Sequence, residues 1–254
     1  MRGRPRSSLP APVPDPVLLL HGLGRTGLSM LPLARALRRA GFDPRVVDYP
    51  SRRRTVEAVV EIVLAPRVNA LLTGGAGRPP ADRVHFVTHS LGGVVVRAFA
   101  AGRADRGRPL PAGSRAVMLA PPHGGSEVAD ALRDREPFRS VLGPALAQLG
   151  TDAASGPGRL GAVRGVEAGV IAGTGARLPF GRLFAGPHDG LVSVESAGGA
   201  DGLADVVVLA PSHSTIMWSP EAVRQTVHFL RAGRFDHGGA GPQPGGETPA
   251  PPVS

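Results

Sequence analysis

Short runs of apolar residues alternate along this chain with longer segments of helical spacing. The strand-like runs lie at residues 17–20, 45–48, 84–89, 115–119, 166–172 and 205–209. Most of them lack the polar alternation of a half-exposed strand, which is typical of strands covered on both faces of a parallel sheet. Between the first two runs, Met30, Leu33 and Leu37 share one helical face. The alternation predicts an α/β fold in which helices flank a mostly parallel central sheet.

Capping and breaking residues mark the ends of the predicted helices. Thr55 is suited to cap a second helix, in which Pro66 should cause a kink or an interruption. The last helix is predicted to begin at Ser219 and Pro220, because an N-cap serine followed by proline is typical of a helix start. Gly233 is expected to end it.

The helical spacing of residues 127–149 is divided by Pro137 and Pro144, so we expect two short helices there. This segment is inserted between strand-like runs, and residues 126–150 are therefore expected to form a small helical cap over the functional site. We call residues 126–150 the cap segment. A Gly/Ala/Ser-rich linker is expected to follow at residues 150–163.

The 254 residues suffice for one large α/β domain, and a second independent domain is not expected. We place this domain at residues 15–235. Residues 1–14 are rich in Arg, Pro and Ser, which predicts a flexible leader. Residues 236–254 are rich in Gly and Pro, which predicts a disordered tail.

The most informative stretch is residues 84–96, VHFVTHSLGGVVV, where a strand-like run meets a helix-like run at Ser90. A sharp turn of this kind projects the serine hydroxyl beyond the sheet edge and places the N–H of Leu91 at a helix N-terminus. Gly92 and Gly93 supply the small side chains that the close approach of the two elements needs. A serine nucleophile requires this accessibility, together with a nearby base and N–H donors.

The match to the G-x-S-x-G pattern is incomplete, because Thr88 stands where the first glycine is usual. A β-branched residue is bulkier than such a tight turn favours. The other interpretation of Ser90 is an N-cap serine that opens a helix. These five residues alone leave both interpretations open.

Residues 22–27, GLGRTG, form a glycine-rich loop after the first strand-like run. The loop matches neither G-x-G-x-x-G nor the P-loop pattern, and the chain has no lysine, so a nucleotide site is not favoured. Glycines also allow the backbone to approach a substrate. We expect the N–H of Leu23 to be one oxyanion donor and that of Leu91 to be the other.

Candidate partners of Ser90 lie after later strand-like runs. His213 is the only histidine between the run at 205–209 and the last helix, which favours it as the general base. Asp189 follows the run at 166–172 and precedes His213, which favours it as the acid, although it could instead only form an Asp-Gly turn. The competing acids are Glu195, Asp201 and Asp205.

Two further features are less specific. His123 is an alternative base, and it could equally be a loop histidine that lines the site or bonds to the backbone. The three consecutive arginines at residues 52–54 usually indicate a solvated surface. They could alternatively bind an anionic part of a substrate, because a loop after a parallel strand lies at the same sheet edge as the site.

The segments described above resemble the α/β-hydrolase superfamily, and within it the bacterial lipase and esterase group that includes the inositol-deacylase-like proteins. The resemblance is carried by residues 17–24 (VLLLHGLG), 84–93 (VHFVTHSLGG), 120–126 (APPHGGS), 189–192 (DGLV) and 212–213 (SH). The order Ser, acid, His is that of this superfamily. The resemblance implies Ser90 as the nucleophile, His213 as the general base and Asp189 as its orienting acid. It also implies Leu23 and Leu91 as the oxyanion N–H donors.

The expected activity is hydrolysis of carboxylic esters through an acyl-enzyme, on a small-molecule or lipid ester and without a metal or organic cofactor. An amidase, a thioesterase or a lipid deacylase would use the same residues. A catalytically silent scaffold used for binding is the alternative outside enzymes.

Composition and charge limit the binding partners and the cellular location that are expected. The formal net charge is +9, but the arginines are scattered along the chain and come without a binding motif, so no nucleic-acid partner is expected. The absence of cysteine excludes disulfides and a thiol nucleophile. No apolar run reaches ~18 residues, so no membrane span is expected, although peripheral lipid contact stays open. Prolines interrupt the N-terminal segment where a signal peptide would be apolar, which favours a cytoplasmic protein. The sequence does not indicate an oligomeric state.

Overall fold

A single parallel sheet forms the centre of the molecule. The computed structural model describes residues 13–75, 77–176 and 180–238. Six strands within these ranges lie in the order β2-β1-β3-β4-β5-β6 and are all parallel. The strands are β1 (Pro16–Leu20), β2 (Asp43–Val47), β3 (His85–His89), β4 (Arg115–Leu119), β5 (Glu167–Gly173) and β6 (Asp205–Leu209). The predicted α/β class with a parallel central sheet is confirmed.

Helices connect the strands and cover both faces of the sheet. They are α1 (Leu31–Arg39), α2 (Val56–Val59), α3 (Ala65–Thr73), α4 (Leu91–Asp105), α5 (Glu127–Leu132), α6 (Phe138–Leu142), α7 (Pro144–Ala147), α8 (Gly156–Arg159), α9 (Val194–Gly198) and α10 (Pro220–Ala232). A π-helical segment (Val60–Leu64) joins α2 to α3, and short 3-10 segments lie at Gly27–Met30, Gly181–Leu183 and Ile216–Trp218.

The central strand β1 is buried on both faces. Successive side chains of a strand point to opposite faces, so Leu18 and Leu20 pack into the apolar cluster beneath α2, α3 and α4. Val17 and Leu19 pack into the cluster on the other face, with α1 and α10. All four side chains are at most 1% exposed. The uninterrupted apolar run is explained by this double coverage.

The order of the strands reverses beside β1, because β2 lies on one side of it while β3 to β6 follow on the other. In sheets of this kind, ligands bind outside the carboxyl ends of the strands near the point of reversal. The loops that leave β1, β2, β3, β5 and β6 all begin at this edge. The fold therefore brings Ser90, Asp189 and His213 to the same side of the sheet.

Three local predictions differ from the structure. The cap segment contains three helices, α5 to α7, instead of two, because Gly143 at φ 70° separates α6 from α7. The irregularity expected at Pro66 lies just before it, in the π-helical segment, and Pro66 itself occupies the first turn of α3, where a missing N–H costs little. The linker predicted at residues 150–163 includes the short helix α8.

Most of the predicted leader and tail, residues 1–12 and 239–254, lie outside the described residues. In the part of the chain that the structure describes, no helix is both long enough and apolar enough to cross a bilayer.

Candidate active site

Ser90 occupies a strained turn between β3 and α4. Its backbone has φ 52° and ψ −120°, a region that residues other than glycine rarely adopt. The turn is held by the Ser90 N–H, which donates to the Leu119 carbonyl at 2.9 Å, and by the Ser90 carbonyl, which accepts the Gly93 N–H at 2.8 Å. Strain of this kind persists only where the surrounding structure imposes it, and it concentrates at functional sites.

The two glycines after Ser90 are required by close packing. A Cβ atom at Gly92 would lie 2.8 Å from the Leu20 carbonyl oxygen, and one at Gly93 would lie 2.8 Å from the Pro121 Cβ. Helix α4 therefore starts in direct contact with the ends of β1 and of the loop after β4. This is the packing that the pattern around Ser90 predicts.

Ser90 does not act as a helix cap. Its side chain makes no cap hydrogen bond to α4. The side chains that do cap their helices are those of Thr55, Ser126, Ser155, Ser193 and Ser219. Among the described residues, no hydrogen bond engages Ser90 Oγ, and the residue is 8% exposed. The N-cap interpretation therefore does not account for this serine.

Asp189 and His213 form a buried pair. His213 Nδ1 lies 2.7 Å from Asp189 Oδ2, and the His213 N–H donates to the Asp189 carbonyl at 3.0 Å. The other carboxylate oxygen, Oδ1, accepts the N–H groups of Leu191 at 3.0 Å and Val192 at 2.8 Å. These bonds leave Oδ2 directed at the imidazole. Hydrogen bonding of this type fixes the tautomer and orientation of a histidine.

The competing acids lie in other environments. Asp205 Oδ2 accepts the Phe235 N–H at 2.7 Å, and both of its oxygens lie 3.0 Å from His237 Nε2. Glu195 lies in the first turn of α9, where its charge favours the helix terminus. Among the described residues, Asp189 is the carboxylate that contacts His213.

His89 connects the Ser90 turn to the His213 loop. Its Nε2 lies 2.9 Å from the His213 carbonyl oxygen, and the two ring centroids are 4.8 Å apart. No hydrogen bond between Ser90 Oγ and His213 occurs among the described residues. Such bonds are often long without substrate and shorten in the complex. His89 was not among the predicted site residues, although its place next to Ser90 was a usable signal.

The loop after β1, residues 21–27, passes directly beside Ser90, and we call it the first loop. A Cβ atom at Gly22 would lie 3.1 Å from Ser90 Cβ. Among the described residues, the Leu23 N–H has no hydrogen-bond acceptor. The Leu91 N–H is the first of α4 and has no acceptor within the helix. Both expected oxyanion donors therefore belong to backbone that adjoins Ser90.

Residues after β2 hold the first loop in place. The Tyr49 hydroxyl donates to the His21 carbonyl, and the Tyr49 and His21 rings stack with centroids 4.2 Å apart. The Ser51 Oγ accepts the Gly24 N–H at 3.1 Å, and Arg52 donates to the Gly24 carbonyl at 3.1 Å. Tyr49 and Ser51 were not predicted as site residues, because their partners lie more than twenty residues away along the chain.

Burial favours the neutral forms of two histidines in this region, His89 and His21. Burial is the main cause that lowers the pKa of His89, and neighbouring His213 and Arg25 lower it further. Burial likewise lowers the pKa of His21, against smaller opposing effects from Gly22 and Asp48. Neutral imidazoles in these positions add no positive charge beside His213.

His123, the alternative base, is engaged with Arg97 of α4. Arg97 Nη1 donates to the His123 carbonyl at 3.0 Å and lies 3.4 Å from its Nδ1, while Nη2 donates to the Gly161 carbonyl. Burial, with the positive charge of Arg97 next, lowers the pKa of His123 to about 3. The ring of His123 contacts Arg97, and its Nε2 has no hydrogen-bond partner among the described residues, so no hydrogen bond links this ring to Ser90 there.

The cap segment lies against the first loop. A Cβ atom at Gly24 would lie 3.7 Å from Leu142 Cδ2 at the end of α6. Gln148 joins the cap segment to α2, because its Oε1 accepts the Val56 N–H and its Nε2 donates to Glu57 Oε2, both at 2.8 Å. Within the ranges that the structure describes, no three His, Asp or Glu side chains converge as a metal site.

Comparison with known proteins identifies the fold. The sequence matches no family model, and no curated protein matches it in sequence. The mature form of lipase BlEst2 from Bacillus licheniformis superposes with a TM-score of 0.63 at 18% identity, over 89% of this chain and 94% of that chain. This chain spans 48% of the same lipase in its propeptide form.

Two further structures superpose over most of their length. The metagenomic carboxyl esterase MGS0156 has a TM-score of 0.58 at 20% identity, over 85% of this chain and 70% of that one. YbtT, a type II thioesterase from the yersiniabactin pathway, has a TM-score of 0.54 at 16% identity, over 85% of this chain and 92% of that one. The chain thus has the α/β-hydrolase fold of bacterial lipases and esterases. The narrower resemblance to inositol-deacylase-like proteins stays a prediction.

Proposed function

We propose that this protein is a serine hydrolase that cleaves carboxylic esters, with Ser90 as nucleophile, His213 as general base and Asp189 as the acid that orients the base. The observation that carries the proposal is the position of Ser90, whose side chain does not cap α4 and whose backbone is held in a strained turn. The buried His213–Asp189 pair lies at the same edge of the sheet. Strain and a buried ionisable pair each carry a cost in stability that a purely structural role does not require.

In the first half of the reaction, Ser90 Oγ attacks the ester carbonyl carbon while His213 Nε2 takes the hydroxyl proton. The Nδ1–H of His213 donates to Asp189 Oδ2, so the carboxylate stabilises the imidazolium that forms. The tetrahedral intermediate then collapses, the C–O bond to the alcohol breaks, and His213 returns its proton to the leaving oxygen. An acyl-enzyme on Ser90 remains.

In the second half, His213 removes a proton from water, the resulting nucleophile attacks the acyl carbon, and Ser90 leaves with the proton that His213 returns. In both halves the oxyanion accepts hydrogen bonds from the N–H groups of Leu23 and Leu91. Each such donor is worth about 3 to 4 kcal/mol in the transition state. No step requires a metal or an organic cofactor.

The test is hydrolysis of p-nitrophenyl esters from acetate to dodecanoate, together with labelling by a fluorophosphonate probe. We expect the wild type to turn over esters and Ser90→Ala to lose about a million-fold in kcat. Ser219→Ala is the matched control, since Ser219 caps α10 through its hydroxyl and its loss should leave kcat unchanged. Equal turnover by the wild type and Ser90→Ala would exclude Ser90 as the nucleophile.

Thioester hydrolysis is the second candidate, because the thioesterase YbtT shares the fold over most of both chains. Acyl-thioester substrates of matched chain length, assayed by release of free thiol, separate the two activities. An amide or a lipid head-group ester is compatible with the same residues and is tested on the same samples. A location in the cytoplasm remains a prediction from the sequence.

A silent scaffold predicts a different result. In that case the wild type would neither hydrolyse any of these substrates nor react with the fluorophosphonate, while its thermal unfolding stayed cooperative. Probe labelling that maps to Ser90 without turnover would instead keep the nucleophile and change the substrate class.

A further inference from the structure

His89 contacts three parts of the candidate active site, namely the Ser90 turn, the loop of His213 and the first loop. It precedes Ser90 in the chain, its Nε2 lies 2.9 Å from the His213 carbonyl, and its ring lies 4.8 Å from the His213 ring. A Cβ atom placed on Gly22 of the first loop would lie 2.7 Å from His89 Nδ1. The side chain of His89 thus fills the space between the turn at Ser90, the first loop and the loop that carries His213, which we call the base loop.

The hydrogen bond of His89 determines where its proton lies. The His213 carbonyl oxygen can only accept, so the proton of the neutral ring is on Nε2. The other nitrogen, Nδ1, is buried and has no hydrogen-bond partner among the described residues. The contact with the base loop therefore depends on a single donor atom, at the end of a side chain that is 1% exposed.

We propose that His89 is a positioning residue that holds the backbone of His213 in place, so that the imidazole stays aligned between Asp189 and Ser90. The inference rests on the proposed function, because it concerns the alignment of the same base. The Asp189 hydrogen bond fixes one end of the imidazole, and the His89 donor fixes the backbone from which the imidazole extends.

The chemistry of the side chain explains why a histidine suits this position. When His213 accepts the Ser90 proton it becomes a cation, and a second cation at ring contact would oppose that step. His89 offers a donor without a charge, because burial, His213 and Arg25 all disfavour its protonated form. A lysine or an arginine would reach the same carbonyl but would carry a charge there.

Three substitutions distinguish the effect of losing the hydrogen-bond donor of His89 from the effect of changing its side-chain volume. In His89→Gln the amide nitrogen reaches the position of Nε2 and keeps the hydrogen bond, whereas in His89→Asn it reaches only the position of Nδ1. His89→Leu removes the donor and keeps an apolar side chain. We expect kcat to fall about ten- to a hundred-fold in the Asn and Leu variants, since a displacement of about 1 Å has effects of this size. KM should change less than about two-fold, and Gln should restore kcat to within a few-fold of wild type.

A second buried histidine on the same strand supplies the matched control. His85 lies at the opposite end of β3 and is also 1% exposed, but its Nδ1 accepts the Arg115 N–H at 3.1 Å, far from Ser90. His85→Leu should lower thermal stability as His89→Leu does, without lowering kcat. The stability of each variant is measured in parallel by thermal unfolding.

Equal kcat in His89→Gln and His89→Leu would overturn the inference, as would a loss in His85→Leu as large as that in His89→Leu. If His89→Leu does not fold, the comparison of Gln with Asn decides, because both are polar. Failure of the proposed function is distinct, since it appears as a wild type that neither turns over substrate nor reacts with the fluorophosphonate. If only the reaction with the probe occurs, its rate replaces kcat, because it requires the same base.

Discussion

The first loop and the cap segment lie on the same edge of the sheet but are attached to it differently. The first loop is held by largely buried groups: Tyr49 bonds to and stacks on His21, and Ser51 accepts the Gly24 N–H. In the cap segment, helix α6 buries none of its residues, and Phe138 and Val141 are 40% and 51% exposed. The backbone beside Ser90 is therefore held by buried contacts, whereas α6 of the cap segment has no buried residue.

The ion pair at the start of α6 is also exposed. The Arg139–Glu136 pair at 3.3 Å is exposed, and exposed pairs contribute only about 0–1 kcal/mol. Gln148 supplies the bonds that join the cap segment to α2. A region held in this way opens at lower free energy than buried strands do. On the proposed function, we expect changes to the contacts that hold the first loop to affect the chemical step, and changes near α6 to affect access.

After Ser90→Ala, the largest effect is expected at Asp189, which is 2% exposed and contacts the His213 imidazole. Asp189→Asn keeps the shape but presents an amide to His213 Nδ1, which favours the wrong tautomer. We expect kcat to fall about ten-thousand-fold, with KM nearly unchanged. Steady-state kinetics on a short ester measures this, and Asp205→Asn is the control, because Asp205 bonds to Phe235 and His237 instead. A comparable loss in both variants would contradict the assignment of Asp189.

The second prediction sets the first loop directly against the cap segment. The double variant Tyr49→Phe/Ser51→Ala removes two hydrogen bonds that hold the first loop, and kcat on an acetate ester should fall about ten- to a hundred-fold because Leu23 loses its alignment. Gln148→Ala removes the two bonds that join the cap segment to α2, and the same kcat should change less than about three-fold.

Limited proteolysis provides the second measurement for these variants. Gln148→Ala should be cleaved faster within the cap segment than the wild type, because local opening becomes easier. The double variant Tyr49→Phe/Ser51→Ala should be cleaved within the cap segment at the same rate as the wild type. If Gln148→Ala lowered kcat as much as the double variant, the two regions would not differ in the way described.

The smallest effect is a dependence of stability on pH through His123, which lies outside the cap segment. The unfolded chain binds a proton at His123 below its ordinary pKa of 6.5, whereas the folded chain does so only near its pKa of about 3. The stability from this group is complete above pH 6.5 and is lost as the pH falls from there towards 3. At about pH 5 the loss is about 2 kcal/mol.

Urea unfolding at about pH 7.5 and about pH 5 measures this difference. In His123→Gln, the fall in the free energy of unfolding between the two pH values should be smaller than in the wild type by about 2 kcal/mol. An unchanged difference in the variant would show that other groups account for the acid sensitivity.

The sheet could be predicted because its strands are apolar runs, and the bounds of β4 and β6 agree with the predicted runs to the residue. The turn at Ser90 could be predicted because Gly92 and Gly93 have a local packing requirement. The pairing of Asp189 with His213 followed from the positions of the two residues after strands. These signals are all local, or depend only on the order of elements.

The features that could not be predicted depend mainly on contacts between residues that are distant in the sequence. Tyr49 and Ser51 have ordinary loop positions in the sequence, and only the pairing of β1 with β2 places them against the first loop. In the sequence, His89 is an ordinary strand residue. Its contact with the loop of His213 joins positions that are more than a hundred residues apart, so only the fold reveals it. The third helix of the cap segment depends on Gly143, whose break in the helical spacing resembled that of the neighbouring Pro144.

The backbone of Ser90 has a consequence for how such a sequence changes over time. A non-glycine residue at φ 52° carries a strain of about 1–3 kcal/mol, which a glycine would relieve. Replacement by glycine would thus stabilise the fold while removing the hydroxyl. Random drift under selection for stability alone leads away from serine at this position. A serine at this position therefore fits the role that the proposed function gives its hydroxyl.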